Sequence, residues 1–364
     1  MAGINSGRRQ SRKIVTTSAW AASSDLTPVN LHRDGLITEV GIRAEITTAA
    51  LTATAVADGL KRVIQNLKIQ GDGGRSYLGL SGEQAARLLS YMNDLDFGTP
   101  MMDSKMPEVA DTALSHFTWV FHPGSNPKDP FDLSACIPAK HLSTLQVLLT
   151  TTANGVVDAA AAIASGTYKY WINEVLDYKI PPHQYDGQGR FVNGMMTPIG
   201  STFSWANDAN YSDYSKDIDV PGGAWLRRAV FLCQDETATV PVRKDDEVTG
   251  VKLKLAKVGL APIELSIQDL KVMAAKRSRF PGQIMNAALG AVTTRPGWEF
   301  EQVLPAGLFV IDFRDIFDPR WGLDLTNYQS GDVKIGLTVE NRAAGDDTII
   351  YWDQLIPMES QYIG

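Results

Sequence analysis

Residues 59–89, GLKRVIQNLKIQGDGGRSYLGLSGEQAARLL, and residues 250–273, GVKLKLAKVGLAPIELSIQDLKVM, follow one plan. Each runs an alternating strand, a break, a Leu-Ser step and then a helix-like stretch. The likeness extends well beyond these two segments. Leu36–Ile42 corresponds to Trp225–Phe231, Leu67-Lys68-Ile69 to Leu253-Lys254-Leu255, and Leu78, Leu80 and Ser81 to Ile263, Leu265 and Ser266. A helix expected over Gly82–Met92 corresponds to one over Ile267–Arg277. Trp119-Val120-Phe121 then matches Ile311-Asp312-Phe313, Asp129-Pro130 matches Asp318-Pro319, and Leu145–Thr150 matches Val333–Thr338. Tyr170-Trp171 matches Tyr351-Trp352. No single match is specific, but the order never breaks. The offset stays between 181 (Tyr170 to Tyr351) and 192 (Trp119 to Ile311), a drift that loop insertions produce.

Between these landmarks lie many short alternating runs separated by Pro, Gly, Asn and Asp, the pattern of an all-β sandwich or barrel. Ser81 and Ser266 supply a polar cap ahead of each helix. The chain therefore reads as two copies of one fold, an all-β plan of two tandem eight-stranded jelly rolls, each with an inserted short helix. Each copy is about 150 residues, enough to hide roughly 70% of its unfolded surface and to carry its own core. The first jelly roll is placed at 27–182 and the second at 221–364. The Gly-, Asn-, Ser- and Tyr-rich stretch 183–220 reads as a linker with a protruding loop. Residues 1–26 hold Arg8, Arg9, Arg12 and Lys13 with no acid before Asp25, and read as a flexible basic arm.

Of 364 residues, 44% are hydrophobic and 21% charged, as in globular domains, so both halves can bury a core. The net charge of −7 argues against general nucleic-acid binding by the body. No apolar run approaches the roughly 20 residues that span a bilayer, and no secretory pattern opens the sequence. Cys136 and Cys233 stand alone in apolar strand contexts and read as buried thiols of a protein made in a reducing cytoplasm.

Two consecutive jelly rolls in one chain resemble the double jelly-roll major capsid proteins of tailless icosahedral viruses with an internal membrane, a lineage that includes the adenovirus hexon. The segment DGLITEVGIRAEITTAALTATAVADGLKRVIQNLKIQGDGGRSYLGLSGEQAARLL resembles the start of the corticovirus-type phage coat protein. Its parts are an early strand (Gly35–Ile46), a small-residue insertion (Thr47–Asp58), an I-x-x-L-x-I strand (Ile64–Ile69), a Gly-rich hairpin (Gly71–Gly74) and the helix. The resemblance implies a homotrimer of pseudo-hexagonal outline that tiles a virion shell and meets vertex and minor capsid proteins. It also implies synthesis in the host cytoplasm, no sequence-specific nucleic-acid binding and no enzymatic activity. The arm residues Arg8, Arg9, Arg12 and Lys13 would then face the interior and meet anionic lipid headgroups, each worth about 1 kcal/mol near such a surface.

Other chemistry is sparse. His116, His122 and His141 share one stretch, but their spacing does not match the His-x-His pair of a metal-binding jelly roll. Asp208, Asp213, Asp217 and Asp219 make an oxygen-rich run that could hold calcium at a loop or subunit contact, without the spacing of an EF-hand. No resident cofactor is implied. Gly71–Gly74 lacks the Lys-Ser/Thr of a phosphate loop, and Gly-x-Ser-x-Gly is absent. The competing reading is a carbohydrate-binding or glycan-cleaving double β-sandwich, for which Glu174 and Asp353 are the candidate carboxylates. Segments 184–219 and 286–303 are candidate exposed or intersubunit loops.

Overall fold

In the computed structural model the described residues are 8–48, 59–82, 85–97, 114–126, 132–157, 162–176, 195–206, 209–212, 214–237, 242–255, 260–278 and 307–358. The Asp129-Pro130 turn, His183, Asp208, Asp213, Trp298, the segment 286–303 and most of the insertion at 47–58 lie outside them.

The first roll is built from β1 (Arg8–Ala19), β2 (Val29–Asn30), β3 (Leu36–Thr48), β4 (Ile64–Gly71), β5 (Arg75–Leu80), α1 (Arg87–Phe97), β6 (Ser115–Phe121), β7 (Leu145–Thr151) and β8 (Ile163–Leu176). They form two four-stranded sheets, in the orders β1-β8-β3-β6 and β2-β7-β4-β5. Alternation sets the inward face. Val40, Ile42 and Ala44 of β3, with Tyr168, Tyr170 and Ile172 of β8, are buried, while Arg43, Glu45, Lys169 and Trp171 between them are only half-buried.

The second roll comprises β9 (Met196–Ala206), β10 (Tyr214–Asp219), β11 (Trp225–Asp235), β12 (Val242–Arg243), β13 (Val248–Leu255), β14 (Leu260–Ser266), α2 (Ile267–Ser278), β15 (Leu308–Asp312), β16 (Leu323–Asp324), β17 (Val333–Val339) and β18 (Asp346–Pro357). One sheet runs β10-β17-β13-β14. The other runs β12-β11-β18-β9, with β15 and β16 also paired to β11. Without the two-residue strands β12 and β16, its order is β9-β18-β11-β15. The two rolls therefore match strand for strand: β1-β8-β3-β6 with β9-β18-β11-β15, and β2-β7-β4-β5 with β10-β17-β13-β14. These are the paired four-stranded sheets of a jelly roll, and the fold class read from the sequence is the one found. Residues of both sheets meet in the second core, where Phe231, Phe309 and Trp352 face Val251, Leu253, Ile335 and Leu337. Phe231 stacks on Phe309 with centroids 4.5 Å apart.

The helices occupy equivalent stations with different starts. Ser266 caps α2 reciprocally: its Oγ accepts from the Asp269 N–H, and the Asp269 carboxylate accepts from the Ser266 N–H, both at 3.1 Å. In the first roll Gly82 has a φ of +122°, which no helix contains, and α1 begins at Arg87 rather than at Gly82. The Gly82 N–H instead donates to Asn66 Oδ1 at 3.1 Å, tying this corner to β4.

Two boundaries depart from the sequence reading. The arm expected to be flexible over residues 1–26 is, from Arg8 to Ala19, an edge strand paired antiparallel with β8. The stretch 183–220 contains β9 and β10, the first two strands of the second roll, instead of a plain linker. Both errors share a cause: these strands lie at sheet edges, where one side needs no apolar residues, so their sequences are rich in Ser, Thr, Gly and charge. By chain contacts the molecule divides into Met1–Ser201 with Leu355–Gly364, and Thr202–Gln354. The final residues thus belong to the first unit. There Met358 packs with Leu36, Leu133, Cys136, Val175 and Met195, and its N–H donates to the Met195 carbonyl at 2.9 Å.

Candidate assembly surfaces

The basic residues singled out in the sequence fall at one end of β1. Arg8 stands opposite Leu176, Arg9 opposite Val175 and Arg12 opposite Ile172. Lys13 falls in the register shift between Arg12 and Thr16. A strand holds these four positions at fixed spacings along the end of the sheet order.

The outward face of β1-β8-β3-β6 is polar and half-open. Trp171 lies flat on it. A Cβ at Gly41 would fall 1.9 Å from Trp171 Cε2, so only glycine allows the indole to rest there. The indole N–H donates to Glu39 at 3.1 Å. Beside it Glu45 accepts from Lys169 at 2.7 Å and lies 3.3 Å from Arg43.

The equivalent face of the second roll is apolar and covered: Val230, Leu232, Ile349 and Tyr351 are buried but lie outside the core cluster. The Tyr-Trp pairs matched in the sequence consequently sit one residue out of step. Tyr170 points inward and Trp171 outward, whereas Trp352 belongs to the second core and Tyr351 to the other face. Asp353 shares that face and is held by Arg227 at 2.9 and 3.0 Å and by Arg228 at 2.8 Å. Burial pushes the Asp353 carboxyl up, but the two guanidiniums outweigh it and hold the group at about 2. The carboxylates of the glycan reading are thus both buried, Glu174 fully and Asp353 in an ion triad.

On β10-β17-β13-β14 the outer face carries three cross-strand ion pairs. They are Lys252–Glu264 at 2.6 Å, Lys254–Asp217 at 2.6 Å and Lys334–Asp219 at 3.3 Å. Asp217 and Asp219, two of the four acids considered for calcium, are therefore matched to lysines. His116 lies on β6 opposite Glu45, His122 just past the strand end and His141 in a separate turn at Ala139–His141. Among the described residues no three His, Cys, Asp or Glu side chains gather closely enough to hold a metal.

The corner between β9 and β10 is organised by Arg342, a residue the sequence reading did not pick out. Its guanidinium is fully buried and stacks on the Trp205 ring at 3.6 Å. It donates to Glu247, to the Trp205 carbonyl, to Thr348 Oγ1 at 2.6 Å and to the Asp346 carbonyl at 3.0 Å. Desolvation lowers its pKa from the ordinary arginine value. Trp205 leads to Tyr211, which stacks on Tyr214 at 4.6 Å, and both Tyr214 and Phe203 are exposed on edge strands. Nothing in the sequence marked Arg342, because its partners come from three separated segments, at Trp205, at Glu247 and at Asp346–Thr348. Both cysteines are free and buried; burial pushes the Cys233 thiol up to about 12 and that of Cys136 higher.

Two jelly rolls that match strand for strand, each with edge strands, define a double jelly-roll protein. No protein-family model matches the sequence, and no curated protein does. Solved structures do match. A chain from the structure of Sulfolobus Turreted Icosahedral Virus superposes with a TM-score of 0.69 at 14% identity, over 98% of this chain and 95% of that one. The major capsid protein P2 from bacteriophage PM2 gives 0.53 at 10% identity, over 97% and 98%. A chain of the PBCV-1 virus capsid gives 0.55 at 12% identity, over 96% and 93%. The chain thus resembles double jelly-roll major capsid proteins from end to end, and at these identities the likeness establishes the fold.

Proposed function

We propose that this chain is a major capsid protein, a structural component that forms pseudo-hexameric homotrimers tiling an icosahedral virion shell over an internal lipid membrane. The observation that carries the reading is the strand-for-strand duplication, matched over at least 93% of the length of three viral capsid chains. The physics of assembly agrees. Two like modules in one chain give six in a trimer, a head-to-tail contact closes at three subunits, and a permanent contact of this kind buries about 2,000 Å² or more. Its partners are then other copies of itself, vertex and minor capsid proteins and the lipid beneath, and its work is structural. Mass measurement in solution with negative-stain microscopy tests the proposal. Trimers with a hexagonal outline are expected, and stable monomers that bind glycans would overturn it in favour of the carbohydrate reading.

A further inference from the structure

Among the described residues, a contact made in one roll has no counterpart in the other. In the first unit, edge strand β5 receives the opening residues of β9. Ser76 Oγ lies 3.4 Å from the Gly200 carbonyl, and a Cβ at Gly79 would sit 2.7 Å from that oxygen. Glycine at position 79 allows the two backbones to approach this closely. Gly200 is buried.

In the second roll the strand equivalent to β5 is β14, the edge of β10-β17-β13-β14. The matches Leu78 to Ile263 and Leu80 to Leu265 put Glu264 where Gly79 stands. The Glu264 side chain is 64% exposed, with Lys252 as its partner. The strand equivalent to β9 is β1, the first strand of the first roll. The opening of β9 then corresponds to the opening of the described part of β1, Arg8–Lys13. The glycine–glycine approach of the first site is therefore replaced by an acid on one side and a cluster of basic positions on the other.

We infer that the Arg8–Lys13 end of β1 docks along β14 of a second copy of this chain, with its basic positions brought beside Glu264. The contact made within the chain at β5 is then repeated between chains at β14, which gives the head-to-tail interface that ring closure needs. It rests on the capsid reading and deepens it by naming the partner of the basic segment as protein.

Charge reversal and cross-linking on the full-length chain test this without lipid. Arg12→Glu and Glu264→Arg should each lose trimer at concentrations where the unaltered protein is trimeric, and the double swap should regain it. In a second measurement, Arg12→Cys with Glu264→Cys, treated with a short bismaleimide, should give covalent dimers and trimers on a denaturing gel. Arg12→Cys with Lys68→Cys, an exposed position on β4, should not; the native cysteines are buried. Trimers that survive both reversals and fail to cross-link would overturn the inference and leave the capsid reading standing. Absence of trimers in the unaltered protein would instead overturn the capsid reading itself. Loss of binding to anionic vesicles in Arg12→Glu, with trimers intact and Glu264→Arg silent, would assign the segment to the membrane and refute the docking.

Discussion

Asp353→Asn is a sharp test of how the second roll is held together. Asp353, Arg227 and Arg228 have side chains only 3%, 1% and 5% exposed, so water does little to solvate any of them. Asparagine keeps the shape but removes the negative charge that the two guanidiniums share between β11 and β18. Removing one partner of a buried ion group costs about 3–5 kcal/mol. The same group sets a pH dependence. The native carboxyl lies at about 2 against an ordinary 3.8, so its stabilisation is complete above about pH 4 and fades as pH falls towards 2. That depression is worth about 2 kcal/mol. Urea unfolding followed by tryptophan fluorescence reports on this region, because Trp352 lies one residue away on β18 and Trp225 on β11. The variant should unfold at markedly lower urea at pH 7, and the gap from the unaltered protein should narrow between pH 4 and pH 2. A loss below about 1 kcal/mol, or a gap unchanged by acid, would refute the triad as a stabilising ion group. Replacing all three residues by Leu and Met should restore most of the loss, since well-packed apolar groups substitute for buried ion triads at little or no cost.

Other outcomes follow from equally local features. Gly41→Val should displace Trp171 and cost about 1–3 kcal/mol through overpacking, with a red-shifted Trp emission; unchanged emission would contradict the stacked geometry. Met358→Ala should destabilise the first unit by about 2–5 kcal/mol, read as faster amide exchange in β3 and β8, and unaltered exchange there would count against the packing of the last residues into that unit. Cys136 and Cys233 should resist a thiol reagent in the native protein at pH 8 and react on unfolding, since burial keeps both protonated. Rapid native labelling of either would contradict that placement.

The repeat was legible because core strands must alternate: Leu67 and Ile69, Leu253 and Leu255, Leu145 and Val147 mark inward faces wherever a sheet covers a core. Edge strands obey no such rule. Arg8–Ala19 carries so little apolar content that it reads as an arm, and only its pairing with β8 reveals it as the first strand of a roll. The Tyr-Trp match falls on β8 and β18, but the rings it equates face opposite ways, because a slip of one residue exchanges the faces and leaves the composition unchanged. The surface features were least legible. Arg342 draws on Glu247, Trp205, Thr348 and Asp346, and the Glu264 exchange for Gly79 means nothing until β5 and β14 are known to be counterparts.

The return of Leu355–Met358 to the first unit sets a timetable for synthesis. Met358 completes a cluster whose other members, Leu36, Leu133, Cys136, Val175 and Met195, leave the ribosome long before it. The first unit therefore waits, with an apolar notch open, until Met358 has been made. A product that stopped short of Met358 would carry its damage in the part made first.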